Sequence, residues 1–402
     1  MNVDHVCFCV KDAKALSAWF VNHLKFQAIA SGIWQETAIE VLNSGSIYFV
    51  LCSPLTPDST AARFLEQHPP GVSNIAFCVP DMESAIAQAT SQGAQLLQPL
   101  HIEHQTAGVL KWAEIQAWGN LTHTFIERRG ITSLLPQLTS SADLHSIQVD
   151  PIQSAAVKHA TEPNSNCNTP PVQFLGIDHI VLNVAKGELD SAVSWYERIL
   201  GLQPNQKFAI QTEYSGLCSQ VMRHPSGNVQ IPINEPSSVN SQIQEFLTIN
   251  RGSGIQHIAL ETVGLMDAIA HLRRAGLPLI SIPASYYTQL QSQPECPFSE
   301  AVLNRLASQQ ILVDWQPNAE KPTALLQIFT QPIFTQPTFF FELIERQPCL
   351  IPEQLQRAQG FGEGNFQALF EAIEREQIKR GNLPLLAQEN LAREILAQKT
   401  AD

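Results

Sequence analysis

IDHIVLNVAKGELDSAVSWYERILGLQ (residues 177–203) repeats VDHVCFCVKDAKALSAWFVNHLKFQ (residues 3–27). Each opens as an apolar-Asp-His-apolar strand, continues into a helix with an aromatic pair (Trp195-Tyr196, Trp19-Phe20) and ends in a leucine-rich turn. A second pair follows in the same order. GVSNIAFCVPDMESAIAQATSQG (71–93) matches GIQHIALETVGLMDAIAHLRRAG (254–276), each a short strand, a loop, a helix and a glycine suited to the left-handed position past a helix end. A third pair, LTHTFIERR (121–129) and FFELIERQ (340–347), reads as strands carrying Ile-Glu-Arg. Three matched segments in one order make the chain a tandem repeat. Each copy holds two strand-helix-strands modules, so the expected class is α+β. The expected boundaries are a first domain at 1–130, a linker at 131–172 rich in Ser, Thr, Pro, Asn and Gln, and a second domain at 173–402.

The bulk numbers narrow the function classes. With 402 residues the chain is long for one core and sufficient for two. Hydrophobic residues make up 44% and charged residues 15%, a balance that excludes an intrinsically disordered chain. The net charge of −13 argues against nucleic acid or an anionic membrane as the main partner. No run reaches the roughly 18 apolar residues of a membrane helix. Met1-Asn2-Val3-Asp4-His5-Val6 enters a strand pattern at once, with no basic-then-apolar leader. The eight cysteines (7, 9, 52, 78, 167, 218, 296 and 349) form no CxxC pair and read as reduced thiols of a cytoplasmic protein.

The repeat turns the histidines into a comparison. The first matched strand carries His5 and His179, the second Asn74 and His257, the last Thr124 and Glu342. The second copy therefore offers two imidazoles and a carboxylate on three strands, a set suited to mononuclear non-haem Fe(II) with positions left open. Strands hold such ligands more precisely than loops. The first copy keeps one of the three and is expected to bind no metal, with His5 a relic. A single histidine among apolar residues is more often a hydrogen-bonded core residue than a ligand, whereas two with a carboxylate on three strands form a ligand set. Glu342 stands in Pro-Thr-Phe-Phe-Phe-Glu-Leu-Ile-Glu-Arg, where a carboxylate needs a partner, either a metal or an arginine. Glu345 has a matched acid in the metal-free copy, Glu127, which points to a structural salt bridge.

These residues and their surroundings resemble the vicinal oxygen chelate superfamily. Within it the second copy resembles the 4-hydroxyphenylpyruvate dioxygenase family. The stretches that carry the resemblance are Gly176 to His179, Pro232-Ile-Asn-Glu-Pro236, Ser241-Gln242-Ile243, Gly254 to Leu260, Pro283 to Tyr287, Leu325 to Thr330, Pro337 to Arg346, and Gly360-Phe-Gly-Glu-Gly-Asn-Phe366 followed by LFEAIEREQ. The first copy resembles the family's catalytically silent domain more weakly. The resemblance implies two tandem vicinal-oxygen-chelate domains, each of paired βαβββ modules forming an open barrel. A C-terminal helix at about 360–382 would lie over the second barrel as a lid.

The resemblance further implies Fe(II) on His179, His257 and Glu342, which are also its catalytic residues. It implies a substrate site lined by Ser219, Asn234, Gln242, Gln256, Gln327, Phe329, Phe340, Phe361 and Phe366, with Ser219 placed by its offset from the Pro232–Pro236 segment. Neutral amides and a hydroxyl would orient a phenol and a keto acid, and phenylalanines would clamp a ring and exclude water. Alternation along Phe339-Phe340-Phe341 leaves one or two of them as plain core. Gln256 precedes a ligand and, in an unbulged strand, points away from the metal. The glycines of GFGEGNF read as a flexible entry to the lid. Residues 347–359 and the linker are longer than the family pattern and are expected to be surface insertions.

The implied activity is that of an Fe(II)-dependent 2-oxo acid dioxygenase acting in tyrosine catabolism. 4-Hydroxyphenylpyruvate and O2 would give homogentisate and CO2, the substrate's own 2-oxo acid being the reductant. 4-Hydroxymandelate synthase shares the substrate and the iron but hydroxylates the benzylic carbon; Asn234 and Ser219 fit the dioxygenase better. A metal-free small-molecule binding protein on the same fold is the alternative from another class, and the intact triad argues against it. A glyoxalase-like isomerase or extradiol dioxygenase stands on the same superfamily grounds. The expected partners are a small aromatic 2-oxo acid and O2, with no nucleic acid and no membrane. A cytoplasmic homo-oligomer, dimer or tetramer, is the expected assembly.

Overall fold

The computed structural model describes residues 1–135, 172–212, 215–293, 296–315, 323–351, 354–358, 360–379 and 381. The first copy contributes strands β1 (Asn2–Cys9), β2 (Gln27–Trp34), β3 (Thr37–Ser44), β4 (Ile47–Pro54), β5 (Gly71–Cys78), β6 (Leu96–Gln105), β7 (Gly108–Gln116) and β8 (Thr122–Gly130), with helices α1 (Ala13–Trp19), α2 (Thr60–Gln67) and α3 (Met82–Ser91). The second contributes β9 (Phe174–Asn183), β10 (Gln203–Gln211), β11 (Gly216–Arg223), β12 (Gln230–Pro236), β13 (Gly254–Thr262), β14 (Leu312–Trp315), β15 (Ala324–Phe329) and β16 (Phe340–Arg346). Its helices are α4 (Leu189–Leu200), α5 (Gln242–Asn250), α6 (Leu265–Arg274), α7 (Ala284–Ser292) and α8 (Glu300–Gln309). A hairpin, β17 (Pro348–Ile351) and β18 (Gln354–Arg357), leads to α9 (Glu363–Lys379).

The two eight-stranded sheets have the same strand order. The first runs β2-β3-β4-β1-β5-β8-β7-β6 and the second β10-β11-β12-β9-β13-β16-β15-β14. Each curls into an open barrel, the α+β tandem architecture of the vicinal oxygen chelate proteins. The sequence repeat is also a register repeat. Ala76 pairs with both His5 and Thr124 in the first sheet, and Ala259 pairs with both His179 and Glu342 in the second.

Local signals set the element ends. Asp12 and Asp81 cap α1 and α3, their carboxylates accepting from Ala15 N and Ser84 N at 2.9 and 2.8 Å. Gly93 and Gly276 follow their helices at φ +91° and +77°, the left-handed position expected of them. One apolar core runs through both copies. Phe339 packs on Phe8 at 5.2 Å between centroids, and Phe341 packs on Phe20 and Phe49 at 5.6 and 5.7 Å. The backs of the two sheets are therefore each other's cover, which leaves their concave faces for other uses.

In the first copy the concave face is filled by Trp34, Tyr48 and the chain after β8, including Leu134 and Leu135. The rest of the expected linker, residues 136–171, lies outside the described residues. In the second copy the concave face is covered by α9. After Arg346, β17 pairs antiparallel with β18, and Arg346 donates to the Ala358 and Gly360 carbonyls at 3.1 and 2.9 Å. No described helix is long and apolar enough to cross a membrane. Among the described side chains, Cys7, Cys9, Cys52, Cys78, Cys218 and Cys296 are free thiols.

Candidate metal centre

β13 lies between β9 and β16, and register places one residue of the triad on each. One ligand atom from each of His179, His257 and Glu342 lies within 4.8 Å of the others. Glu342 Oε2 stands 3.3 Å from His179 Nε2 and 3.6 Å from His257 Nε2. Glu342 is 2% exposed. His257 stacks on Phe340 at 4.8 Å, and its Nδ1 has no partner among the described residues.

His179 is oriented from behind. Its Nδ1 is 2.8 Å from Asp178 Oδ1, and Arg346 grips the same carboxylate at 2.6 and 2.8 Å. With Nδ1–H donated to Asp178, Nε2 is the ring atom turned toward Glu342. Burial opposes a charge on His179, but the Glu342 and Asp178 carboxylates outweigh it and raise its pKa. Burial likewise opposes a charge on Glu342, but the two imidazoles hold its pKa well below the ordinary carboxylate range. Burial pushes the His257 pKa down. Positive charge is therefore favoured among these three side chains. A divalent cation would supply it while releasing the proton from His179, so the donor set fits a metal ion.

The triad opens into a cavity. Asn234, Gln242, Gln256, Phe329, Phe340, Phe361 and Phe366 line it beside the three triad residues. Leu369, Phe370 and Ile373 of α9 close its far side, and Phe366 stacks on Phe208 at 4.9 Å. Two of the nine sequence-expected residues lie off the lining. Ser219 is fully buried opposite Asn234 on the neighbouring strand, its Oγ without a partner among the described residues. Gln327 sits behind Glu342, its Nε2 donating to Glu342 Oε1 at 2.8 Å and to the Phe361 carbonyl at 3.0 Å.

Gln256 reaches the cavity because the strand is bulged. Register along β13 and β9 jumps between Ile255 and His257, so Gln256 is the extra residue and turns to the same side as the ligand. The first copy carries the same shift at Ser73. Along Phe339-Phe340-Phe341 alternation holds: the outer two are core and Phe340 faces the cavity. Glu345 departs from expectation. Its partner is the Leu265 N–H at the start of α6, 2.7 Å away, and Glu127 likewise accepts from Met82 N at the start of α3. The matched acids are helix caps, an option that spacing alone does not reveal. Glu127 adds ion pairs to Lys111 and Arg129.

At the corresponding place in the first copy hydrogen-bonded polar side chains replace the ligands. Asn74 Nδ2 donates to Thr122 and Thr124 hydroxyls at 2.6 and 2.9 Å. The rear support survives intact: His5 Nδ1 meets Asp4 at 2.7 Å, and Arg128 grips Asp4 at 2.8 and 2.9 Å. Asp178 and Arg346 were not singled out from sequence, yet both recur in the repeat, in Ile-Asp-His against Val-Asp-His and in the shared Ile-Glu-Arg. Asn365 and Tyr286 were also missed as supporting residues. Asn365 Nδ2 donates to Gln327 Oε1 at 2.7 Å, and the Tyr286 hydroxyl lies 2.9 Å from Asn365 Oδ1.

Residues 1–131 match the family model "Hydroxyphenylpyruvate dioxygenase, HPPD, N-terminal", and residues 176–294 match that of the "Glyoxalase/Bleomycin resistance protein/Dioxygenase superfamily". The chain is 35% identical to the 4-hydroxyphenylpyruvate dioxygenase of Caenorhabditis elegans, over 94% of this chain and 93% of that one. It is 36% identical to that of Dictyostelium discoideum, over 94% and 99%. Among solved structures, a triple mutant of 4-hydroxymandelate synthase from Streptomyces coelicolor superposes with a TM-score of 0.74 at 24% identity, covering 94% of this chain and 98% of that one. That last likeness speaks for the fold alone.

Proposed function

The chain belongs to the 4-hydroxyphenylpyruvate dioxygenase family, and from that premise we propose that it converts 4-hydroxyphenylpyruvate and O2 to homogentisate and CO2. The family is that of an iron-dependent dioxygenase. We assign the iron, as Fe(II), to His179, His257 and Glu342. The observation that carries this assignment is the convergence of those three side chains at the head of an amide- and phenylalanine-lined cavity. When bound, iron would supply O2 binding and the passage of electrons from the decarboxylating 2-oxo acid to oxygen.

The chain's own residues supply place and dryness. Asp178 keeps the proton on His179 Nδ1, so that Nε2 is the free donor. Asn234, Gln242 and Gln256 offer uncharged hydrogen-bonding groups to the phenol and keto-acid ends, with Ser219 beside Asn234. Phe329, Phe340, Phe361 and Phe366 hold the ring, which fixes which carbon faces the metal. Gln327 holds Glu342 in place. Leu369, Phe370 and Ile373 of α9 keep water from the cavity, the role of a lid over about 360–382. Residues 1–130 form the metal-free domain, 131–172 the linker and 173–402 the catalytic domain. The protein works in the cytoplasm as a dimer or tetramer, apart from membranes and nucleic acid.

The test is product analysis with purified protein, Fe(II), O2 and 4-hydroxyphenylpyruvate. Homogentisate with one CO2 per O2 is expected. Hydroxymandelate without homogentisate would replace this reading with the synthase. Oxygen uptake that survives His179→Ala or Glu342→Ala would remove the metal assignment.

A further inference from the structure

Two of the three assigned iron ligands are held from behind by groups that also hold one short stretch of chain. Its described residues are Ala358 and Gly360 to Asn365, at the entry to α9. Arg346 fixes Asp178, which fixes His179, and the same guanidinium donates to the Ala358 and Gly360 carbonyls. It also lies 5.9 Å over the Phe361 ring, which meets the His179 ring at 5.2 Å. On the other side Gln327 donates one N–H to Glu342 Oε1 and the other to the Phe361 carbonyl, while its own carbonyl accepts from Asn365. The Gln327 side chain is 1% exposed and fully used. Because both Gln327 N–H groups go to acceptor oxygens, its carbonyl takes the Asn365 Nδ2–H, and the Tyr286 hydroxyl stands 2.9 Å from Asn365 Oδ1.

The repeat supplies an internal control. In the metal-free copy Arg128 still grips Asp4 and still donates to the Ser133 and Leu134 carbonyls after β8. The glutamine tie is absent there. Gln327 pairs with Ile344 and Trp112 with Ile126, so Trp112 occupies the glutamine's place. The arginine tie is thus shared scaffold, and the glutamine-asparagine tie occurs in the copy with the triad.

We propose that Asn365 and Arg346 are positioning residues through which metal binding at the triad and ordering of the α9 entry are coupled. Resting on the iron site assigned above, the coupling works in both directions. Metal that fixes Glu342 and His179 fixes Gln327 and Arg346, and so the lid entry. A disordered entry releases Gln327 and loosens Glu342. By linkage the two effects are equal in size. Losing a group that orients a metal ligand weakens metal binding by about tenfold to hundredfold.

The test uses full-length metal-free protein and Co(II), titrated by its visible absorption, with hydrogen exchange followed across residues 360–379. In the wild type, Co(II) should slow exchange of those amides by about tenfold or more and leave β3 unchanged. Asn365→Ala should bind Co(II) about tenfold more weakly and lose most of that protection, at an unchanged melting temperature. Arg346→Lys keeps a positive charge but gives up both the two-pronged grip on Asp178 and the Nη1 bonds to the two carbonyls, and should act in the same direction. Wild-type protein that binds Co(II) without protecting 360–379 overturns the coupling and leaves the iron site standing. Asn365→Ala and Arg346→Lys proteins that bind Co(II) like wild type also overturn it. Wild-type protein that binds no Co(II) removes the iron site and the coupling together.

Discussion

Gln242 begins α5 with its Oε1 buried at the cavity wall and without a partner among the described residues. A buried acceptor left unmade costs about 1–3 kcal/mol, so the fold gains nothing from that atom. Gln242→Met keeps the length of the side chain and removes the orphan. Its melting temperature should match or exceed that of the wild type, while KM for the aromatic keto acid rises several-fold. A clear loss of stability would show that the amide serves the fold rather than the ligand. Residues of this kind differ in how far the sequence exposes them. The triad was legible because the chain carries its own control, with Asn74 and Thr124 standing where His257 and Glu342 stand. Gln256 was hard to place because a bulge, which alternation cannot anticipate, turns it inward. Asn365 was not legible as a support, since its importance lies in reaching Gln327 across 38 positions of sequence.

Elements show the same division between pattern and reach. The matched glutamates of the two Ile-Glu-Arg strands were visible as a pair, but their task was not. Each caps a helix that begins more than 40 residues away, Glu127 at Met82 and Glu345 at Leu265. Replacing either by Ala should cost about 1 kcal/mol, and the double variant should lose the sum, because the two caps lie in different sheets. Thermal unfolding of the two single variants and the double variant measures this, and strong non-additivity would contradict independent caps. The lid entry is more constrained than its glycine content suggests. Gly362 has φ +78°, and a Cβ there would collide with Gln327 Oε1. The glycine is therefore a close-approach residue as well as a flexible one. Gly362→Ala should displace Gln327 and lower kcat more than it changes the global melting temperature. Wild-type kcat in that variant would show that Gln327 tolerates the shift. Further along α9, buried Glu374 accepts from Thr212 and Ser215 hydroxyls at 2.6 and 2.7 Å, which fastens the helix to the β10–β11 turn.

At the scale of the molecule the tandem repeat was plain in the sequence, whereas the way the copies meet was not. Apolar strands announce that they are buried and do not say against what. Here the answer is each other, through Phe8, Phe20 and Phe49 of one sheet and Phe339 and Phe341 of the next. Phe341→Ala should therefore cost about 3–5 kcal/mol and lower the stability of both halves in one transition. Two separate transitions in calorimetry, with only the second moved, would show that the shared core does not couple them. The same interface carries a pH term. His123 of β8 is fully buried with Nε2 3.2 Å from the Tyr196 hydroxyl of α4, across the boundary between copies. Burial depresses its pKa to about 3, whereas the unfolded chain titrates near its ordinary value of about 6.5. Below about pH 6.5 the unfolded state takes up a proton that the folded state refuses, so stability falls as pH falls, until about pH 3. The slope is up to about 1.4 kcal/mol per pH unit, or roughly 2 kcal/mol between pH 6.5 and 5. His123→Phe keeps the packing and removes the titration. The gap in melting temperature between pH 7 and pH 5 should shrink in that variant by a corresponding amount, even if its stability at pH 7 drops through loss of the Tyr196 contact. An unchanged gap would mean that the acid sensitivity of the molecule resides in other groups, and that this buried imidazole is not what holds the two copies to neutral pH.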